Sequence, residues 1–357
     1  MIDLRIYNGK KVFITGHTGF KGSWLSLWLT SMGAEVCGYA LAPNTDPALF
    51  DILKLKKRMR HIKADVRDFK KLQKELCSFA PDIVFHLAAQ PLVRVSYKDP
   101  LETYQTNVIG TANLLETAKN CPHVKAVINV TTDKCYKNKE QDYAYKETDE
   151  LGGYDPYSNS KACSELVTSS YRDSFFNPKD FGKKHNLALA SARAGNVIGG
   201  GDYSLDRLLP DFVKAIENGE EIILRNPNAV RPWQFVLEPL YGYLLLGKKL
   251  LEGNVKFASA FNFGPYDSSI ITVESVVKTA IASYGKGNYS IDKGVHPHEA
   301  TLLKLNNEKA EKELSWKPIY SVKEAIEKTI DWYKAYDDGE NMFEFSLNQI
   351  KSFENLI

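Results

Sequence analysis

Residues 15–22 read Thr15-Gly16-His17-Thr18-Gly19-Phe20-Lys21-Gly22 and directly follow the apolar run Val12-Phe13-Ile14. An apolar run that breaks into spaced glycines and then continues as an apolar-periodic segment predicts a strand, a tight turn and a helix. Gly16 permits the turn, Gly19 lets the backbone approach a pyrophosphate, and Gly22 lets helix and strand pack closely. Because the N–H groups that open such a helix attract phosphate, the pattern predicts a dinucleotide-binding loop.

The rest of the first half alternates short apolar runs with helical patterns. Apolar strands separated by helices predict a parallel sheet covered on both faces, an α/β fold. Ligands of such sheets bind at the carboxyl ends of the strands, where Gly16, Ala88 and Thr131 lie. The predicted strands are 12–15, 35–41, 61–64, 83–88, 124–130 and 187–192, and the predicted helices are 20–32, 68–79, 99–120 and 155–176.

The pattern changes after the glycines at 199–201. A helix is predicted at 208–218, a short strand at 221–224 and another helix at 238–251, with no repeat and no low-complexity linker. We therefore predict a dinucleotide-binding domain of residues 1–198 plus about 235–263. A smaller, C-terminal substrate-binding domain would comprise about 199–234 plus 264–357.

Composition excludes several classes of protein. The chain has 357 residues, 43% hydrophobic and 25% charged, with a net charge of +2, which gives no reason to expect nucleic acid or a membrane as partner. His296-x-His298 stands alone, so we predict loop packing there and no metal site. Scattered cysteines without a C-x-x-C pair predict reduced thiols and a cytoplasmic protein. These cysteines are Cys37, Cys77, Cys121, Cys135 and Cys163.

A tyrosine and a lysine stand four residues apart in Asp155-Pro156-Tyr157-Ser158-Asn159-Ser160-Lys161. Asp155 can cap a helix and Pro156 suits its first position, so Tyr157 and Lys161 are predicted to share one helix face. A nearby ammonium favours the phenolate, so we expect Lys161 to lower the pKa of Tyr157 toward working pH. Such a pair suits a base that takes the proton of a sugar hydroxyl.

Together these motifs resemble the extended short-chain dehydrogenase/reductase family. The resemblance implies a Rossmann-like doubly wound parallel sheet with a smaller substrate domain, and NAD as the cofactor. It also extends to Asp65-Val66-Arg67-Asp68, His86-Leu87-Ala88-Ala89-Gln90, Thr106-Asn107-Val108-x-Gly110-Thr111 and Leu314-x-Trp316-x-Pro318. The cofactor-binding residues that it implies are Gly16, His17, Thr18, Gly19, Phe20, Lys21, Gly22, Asp65, Val66, Leu87, Ala88, Ala89, Thr131, Tyr157 and Lys161.

The segment Thr132-Asp133-Lys134 narrows the resemblance. Nucleotide-sugar 4-epimerases have Ser-Ser-x-x-Val-Tyr here, without an acid beside the Ser or Thr, and dTDP-glucose dehydratases have Thr-Asp-Glu. Thr-Asp-Lys is similar to the 4,6-dehydratases whose substrate is CDP-glucose, as are Leu92-Val93-Arg94-x-Ser96-Tyr97 and Arg231-Pro232-Trp233-Gln234. The resemblance implies a hydro-lyase that forms the 4-keto-6-deoxy sugar in the supply of O-antigen dideoxysugars.

The chemistry of such a reaction explains why Asp133 and Lys134 stand beside Thr132. The enzyme must oxidise C4, remove the C5 proton, expel the C6 hydroxyl as water and return hydride to C6. Asp133, if burial keeps it protonated, fits the acid at C6, and the resemblance gives the C5 base to Lys134. A lysine is a base only if its pKa is depressed, so Asp133 taking both proton roles stays open. Thr132 resembles the Ser or Thr that hydrogen-bonds to the C4 hydroxyl beside Tyr157. The resemblance also implies that Lys161 holds the nicotinamide ribose.

Several polar residues are candidates for the nucleotide sugar. Arginine binds diphosphate oxygens in pairs because its guanidinium is a planar fork. No acid or arginine follows the second predicted strand, so NAD is favoured over NADP mainly by the resemblance, and the nucleobase rests on resemblance alone. The candidate substrate-binding residues are Gln90, Asn196, Arg207 and Arg231.

Two other functions stay open at this point. One is a relative acting on another nucleotide sugar, as 4-epimerase or dehydratase, and the other is a non-catalytic NAD-binding scaffold. Asp133-Lys134 argues against the epimerase, and the intact Thr132, Tyr157 and Lys161 argue against the scaffold. The resemblance further implies a homodimer or dimer of dimers formed through the helices 99–120 and 155–176. Their apolar positions include Val108, Leu114, Leu115, Leu166 and Val167.

Overall fold

The computed structural model describes residues 4–292, 294 and 303–357. Short 3-10 and π turns join the strands and α-helices of this part of the chain. The strands are β1 Lys11–Thr15, β2 Glu35–Ala40, β3 Arg60–Lys63, β4 Ile83–His86, β5 Ala126–Val130, β6 Ala144–Tyr145, β7 Ala188–Ala194, β8 Asn196–Ile198, β9 Ile222–Leu224, β10 Val230–Phe235, β11 Ala260–Phe263, β12 Ile270–Thr272, β13 Tyr289–Ile291 and β14 Lys304–Leu305. The helices are α1 Phe20–Ser31, α2 Leu49–Ile52, α3 Phe69–Phe79, α4 Val93–Lys98, α5 Pro100–Tyr104, α6 Gly110–Lys119, α7 Pro156–Ser174, α8 Leu208–Glu217, α9 Leu237–Leu251, α10 Val273–Tyr284, α11 Val322–Asp337 and α12 Met342–Glu354.

One sheet of parallel strands organises the molecule. Its order is β11-β7-β5-β4-β1-β2-β3, and each neighbouring pair is parallel. The strand order reverses between β1 and β4, so a crevice opens at their carboxyl ends, beside Gly16 and Ala88. This is the doubly wound α/β architecture that the sequence predicts.

The two faces of this sheet pack against different sets of helices. Phe13 and Val84 belong to a cluster with α3, α6 and part of α7. Their neighbours Ile14 and Phe85 belong to a larger cluster that includes α1, α9, α11 and α12. Side chains alternate between the two faces of the sheet along each strand, so both faces of the apolar strands are buried. This packing holds the strands, and therefore the loops at their ends, in place.

Smaller sheets lie in the second half of the chain. β8 pairs with β10 in parallel, with Asn196 opposite Trp233, and β10 also pairs with β12. Because β8 begins directly after β7, this sheet continues from the end of the main sheet and brings Asn196 and Arg231 onto adjacent strands. The predicted division into two domains stays a prediction.

Several elements differ from the expectation: besides β11, the strands β6, β8, β10, β12, β13 and β14 and the helices α2, α4, α10, α11 and α12 were not predicted. β11 was not predicted, because its run Ala-Phe-Asn-Phe is interrupted by Asn262, whose buried amide oxygen accepts from the Tyr136 hydroxyl at 2.7 Å. The predicted helix 99–120 contains a π turn at Gln105–Ile109 between α5 and α6.

The cysteines also depart from the prediction of reduced thiols throughout. Cys77 and Cys121 form a disulfide with Cα atoms 5.4 Å apart. α3 packs against α6, which brings together two residues separated by 44 positions, and no local spacing reveals such a pair. The cytoplasmic location loses this support and stays a prediction. His296 and His298 lie outside the described residues.

Candidate active site

The loop after β1 has the conformation that its glycines predict. Gly16 has a φ of 76°, and a Cβ there would lie 2.6 Å from the backbone nitrogen of Ala88. A Cβ on Gly22 would lie 2.1 Å from the Gly16 carbonyl oxygen, so α1 can approach the turn only without a side chain. Gly19 is the N-cap of α1, and a Cβ there would meet only that oxygen, at 3.5 Å. The loop therefore leaves space for a phosphate at the helix N-terminus.

Two side chains of this loop point away from that space. His17 is fully buried, and its Nε2 lies 2.7 Å from Nδ1 of His61. Its ring fits because residue 38 is glycine, where a Cβ would lie 2.2 Å from the ring. The His17 side chain is thus held inside the protein by His61, and its predicted contact with the cofactor stays a prediction. Thr18 donates its hydroxyl to the Leu41 carbonyl at 3.0 Å, which ties the loop to the end of β2.

The other predicted cofactor residues lie in the loops after β3 and β4. Asp65 accepts hydrogen bonds from the Arg67 backbone and guanidinium at 2.6–2.8 Å, so its carboxylate fixes this turn. Val66 is buried against Gly110. Thr15 holds the loop after β4, since its hydroxyl accepts from the Ala88 N–H at 3.2 Å. Leu87, Ala88 and Ala89 are half-buried at the floor of the crevice.

A 3-10 turn, Asp133–Cys135, follows β5 and carries the predicted catalytic segment. The Thr132 hydroxyl donates to Asp133 Oδ1 at 2.9 Å and accepts from the Lys134 N–H at 3.4 Å. Thr132 and Asp133 are 7% and 4% exposed, whereas Lys134 is half-buried. The turn thus buries the hydroxyl and the carboxyl and leaves the lysine nearest to solvent.

Burial is the main influence on the pKa of Asp133. It raises the pKa of the carboxyl, and the charges of Lys134 and Arg231 and the Thr132 hydrogen bond offset this only in part. A raised pKa favours the neutral acid, the state that a proton donor needs. The carboxyl fits because residue 195 is glycine: a Cβ there would lie 2.7 Å from Asp133 Oδ2. Sequence reasoning gave Gly195 no role, because nothing local links it to Asp133.

Tyr157 and Lys161 lie in the first turns of α7, as predicted. Asp155 caps this helix by accepting from the Ser158 N–H at 2.9 Å, and the Tyr157 N–H donates to the Ser96 hydroxyl at 3.1 Å. The Lys161 ammonium donates to the Val130 carbonyl at 3.2 Å, which links α7 to β5.

The predicted effect of Lys161 on Tyr157 is wrong for the protein by itself. Burial raises the pKa of Tyr157 to about 12, although the Thr132 hydrogen bond and the charge of Arg207 lower it. Burial likewise lowers the pKa of Lys161 to about 8. Desolvation disfavours the charged form of both groups, and it is the largest cause of both pKa shifts.

Several cationic side chains lie near Asp133 and Tyr157. Lys21 lies close enough to Arg207, Lys161 and Asp133 for electrostatic interaction, and burial, with the first two charges, lowers its pKa to about 7. Arg207 also acts on Tyr157, and Arg231 on Asp133. Such a site favours anionic ligands such as diphosphates.

Asn196 and Gln90, the two amide residues predicted to contact the substrate, have different surroundings. Asn196 directly follows Gly195, so the start of β8 lies beside the Asp133 carboxyl. The Gln90 amide is occupied within the protein: it donates to the Thr103 hydroxyl at 2.9 Å and accepts from the Leu92 N–H at 2.6 Å. Gln90 therefore shapes the loop after β4, and its predicted contact with the substrate stays a prediction.

The sequence did not reveal the buried ion pair between Glu165 and Arg193, which lies behind the turn Asp133–Cys135. Glu165 accepts from Arg193 at 2.8 Å, from Ser191 at 2.7 Å and from the Thr131 hydroxyl at 2.5 Å. Arg193 also donates to the Tyr136 hydroxyl at 2.7 Å, so the pair holds both ends of the segment 131–136. The position of Glu165, one turn beyond Lys161 on the same helix face, is the signal that could have revealed it.

Asn107 is a second missed residue, and it lies in the π turn. Its amide exchanges two hydrogen bonds with the Gln90 backbone, at 2.8 and 3.0 Å, and donates to the Ser160 hydroxyl at 2.8 Å. π turns frequently occur at functional sites. Here the turn connects the loop after β4 with the helix that carries Tyr157.

No cluster of three or more His, Cys, Asp or Glu side chains has the arrangement of a metal site within 4–292, 294 and 303–357. In the same ranges, no helix has the length and apolar character needed to cross a membrane.

Comparison with known proteins identifies the family. The family model described as GDP-mannose 4,6 dehydratase matches residues 13–329. The chain therefore belongs to the GDP-mannose 4,6-dehydratase family and is an enzyme of the hydro-lyase class.

Individual relatives refine this placement. CDP-glucose 4,6-dehydratase of Salmonella typhimurium is 51% identical to this chain over 354 residues, covering 99% of this chain and 98% of that enzyme. dTDP-D-glucose 4,6-dehydratase of Dictyostelium discoideum is 26% identical, covering 97% and 86%. The solved structure of dTDP-glucose 4,6-dehydratase from Streptomyces venezuelae has a TM-score of 0.76 at 24% identity, covering 92% of this chain and 98% of that one. At that identity the likeness shows the fold alone.

Proposed function

We propose that this enzyme converts CDP-glucose to CDP-4-keto-6-deoxyglucose and water. The observation that carries the proposal is Asp133, a buried carboxyl hydrogen-bonded to Thr132 beside Tyr157. Oxidising a sugar hydroxyl needs a hydride acceptor, which NAD would supply, and the tyrosine as proton acceptor, whereas expelling the C6 hydroxyl needs an acid in addition. The relative named CDP-glucose 4,6-dehydratase, at 51% identity over 99% of the chain, supports the choice of substrate.

NAD fits the crevice as the cofactor. The turn at Gly16, the space beside Gly19 and the start of α1 suit a pyrophosphate, and the ammonium of Lys161 would hold the nicotinamide ribose. Bound NAD would supply a hydride acceptor that later returns the same hydride. The Streptomyces venezuelae relative was solved with NAD bound, which supports this assignment.

Tyr157 takes the proton of the C4 hydroxyl in the oxidation step. Because burial raises its pKa to about 12, the phenolate needs positive charge nearby, which Arg207 provides. Thr132 lies beside the phenol and orients the same hydroxyl. These residues therefore govern the first proton transfer of the reaction.

Asp133 and Lys134 serve the elimination. The neutral Asp133 carboxyl donates a proton to the C6 hydroxyl, which leaves as water. The C5 proton goes to Lys134, which is half-buried at the mouth of the turn, or to Asp133 itself. Arg207, Arg231 and Asn196 would bind the diphosphate and the sugar, with Arg231 close enough to Asp133 to act on its charge.

Two copies of the chain would associate through α5, α6 and α7. The sequence included Leu114 and Leu115 among the pairing positions, but both are fully buried beneath the sheet. Leu101 on α5, Ile109 in the π turn before α6 and Leu166 on α7 are instead 73%, 53% and 55% exposed. Light scattering at micromolar concentration should give at least a dimer mass, and a monomer mass would contradict the proposal.

The test of function is incubation of the purified enzyme with CDP-glucose, dTDP-glucose, UDP-glucose and GDP-mannose in parallel. We expect the alkali-induced chromophore of a 4-keto-6-deoxy sugar with CDP-glucose and little with the others. Epimerised sugar without a keto product would favour a 4-epimerase. Retention of NAD without consumption of any substrate would favour a scaffold.

A further inference from the structure

Tyr136 directly follows the turn Asp133–Cys135 and takes no part in the proposed proton transfers. It is 1% exposed, and its hydroxyl accepts a hydrogen bond from Arg193 at 2.7 Å. The same hydroxyl donates to the amide oxygen of Asn262 at 2.7 Å. Because a hydroxyl has one proton and a guanidinium can only donate, these two partners fix the direction of both bonds and hold the phenol in one place.

The guanidinium of Arg193 holds both ends of the segment 131–136. One of its nitrogens donates to the Glu165 carboxylate at 2.8 Å, and that carboxylate accepts from the Thr131 hydroxyl at 2.5 Å. Another of its nitrogens donates to Tyr136. Since a guanidinium is planar and rigid, it fixes the start of the segment relative to its end.

The Asp133 carboxyl and the Tyr157 phenol are positioned by different parts of the structure. Asp133 lies within this segment, and its side chain accepts from the Thr132 hydroxyl at 2.9 Å, so its direction depends on how the segment is held. Tyr157 lies on α7, and its N–H donates to the Ser96 hydroxyl on α4 at 3.1 Å. A change at Tyr136 therefore acts on Asp133 before it acts on Tyr157.

We propose that Tyr136 is a positioning residue, whose hydroxyl, held between Arg193 and Asn262, keeps the Asp133 carboxyl aimed at the C6 hydroxyl during elimination. It acts through the backbone of the turn, since its N–H donates to the Asp133 carbonyl at 3.3 Å. Asn262 lies on β11, and its amide nitrogen donates to the Tyr145 carbonyl at 2.9 Å, so the turn is anchored to the main sheet. This inference rests on the proposed function.

The test is Tyr136→Phe, which keeps the ring and removes both hydrogen bonds. We expect elimination to slow by about 10- to 100-fold, the cost of a misplaced reacting group, while oxidation by way of Tyr157 changes little. Bound reduced nicotinamide should therefore accumulate and then decay in a single turnover with CDP-glucose. A folded variant in which both steps slow equally, or neither step slows, would overturn the inference.

Tyr145→Phe is the matched control. The ring of Tyr145 stacks on that of Tyr136 with centroids 5.2 Å apart, but its hydroxyl accepts from the Lys139 N–H at 2.7 Å. The variant thus loses the same atom from a neighbouring ring and keeps the bonds of Tyr136. We expect the wild-type time course. If it accumulates as much reduced cofactor as Tyr136→Phe, the effect comes from ring packing and the inference is wrong.

Asn262→Ala decides the question if Tyr136→Phe does not fold. It removes the acceptor of the phenol and leaves the bond from Arg193, so we expect a smaller slowing of elimination with the same accumulation of reduced nicotinamide. Circular dichroism and the amount of bound nicotinamide per chain report whether each variant is folded. In that case, a wild-type time course for folded Asn262→Ala would overturn the inference. A wild-type enzyme that forms no keto product from CDP-glucose would instead refute the proposed function.

Discussion

The loop after β1 and the turn after β5 both follow parallel strands, yet they are built differently. The loop depends on absent side chains: a Cβ at Gly16 or Gly22 would collide with backbone. The turn depends on burial, because Asp133 acquires its raised pKa from its surroundings. A site made by backbone shape is therefore visible in a short sequence pattern. A site made by burial depends on distant residues such as Gly195 and Glu165.

The largest expected effect on activity comes from a substitution in the turn after β5, whose chemistry depends on burial. Asp133→Asn is nearly isosteric but cannot donate an acid proton, so product formation should fall by about 10²–10⁴-fold. The oxidation step should survive, and bound reduced nicotinamide should accumulate, as measured by its absorbance in a single turnover. Absence of both the reduced cofactor and a slower reaction would show that Asp133 is not the acid at C6.

Tyr157→Phe should reduce the rate by a similar factor but at the earlier step. It lacks the phenolate oxygen that accepts the C4 proton, so no reduced nicotinamide should appear in the same single-turnover measurement. The comparison with Asp133→Asn is the control. If both variants accumulate reduced cofactor equally, the assignment of the two residues to separate steps is wrong.

The buried ion pair behind the turn should dominate stability. Glu165→Gln leaves Arg193 buried without its counterion and should lower the free energy of unfolding by about 3–5 kcal/mol, measured by urea denaturation. Ser191→Ala, the matched control, removes one hydrogen bond to the same carboxylate and should cost about 1 kcal/mol. Equal losses would contradict the central role of the charge.

The same carboxylate predicts a pH dependence. Burial alone would raise the pKa of Glu165, but Arg193, Thr131 and Ser191 lower it below its ordinary value of 4.5. A depressed folded-state pKa contributes stability above pH 4.5 that is lost as the pH falls through the folded-state pKa. The stability difference between wild type and Glu165→Gln should therefore shrink in acid.

The smallest expected effect is on stability and comes from substitutions in the loop after β1, whose shape depends on its glycines. Gly22→Ala places a methyl group 2.1 Å from the Gly16 oxygen and should destabilise the protein by about 1–3 kcal/mol, with loss of co-purified NAD. Gly19→Ala, whose methyl would lie at 3.5 Å, should leave stability nearly unchanged and affect chiefly cofactor retention. Equal melting temperatures for the two variants would show that close packing at Gly22 is unimportant.

The sequence predicted the parallel sheet and the loop after β1 because apolar runs and glycine spacing are local. It missed β11, since Asn262 interrupts the apolar pattern and its partner Tyr136 is distant in the chain. It named Thr132, Asp133, Tyr157 and Lys161, but it gave the wrong direction for the pKa of Tyr157. That error arose because the sequence shows the neighbouring charge and does not show the depth of burial.

The 3-10 turn at Asp133–Cys135 has a consequence for how the enzyme can evolve. Its buried residues are fixed by several partners, whereas Lys134 is half-buried and contributes its backbone N–H, whatever its side chain, to Thr132. Under the proposed mechanism with Lys134 as the C5 base, a mutation at position 134 would exchange one kind of base for another without repacking the core. Selection can vary the chemistry at C5 independently of the hydroxyl and the acid beside it.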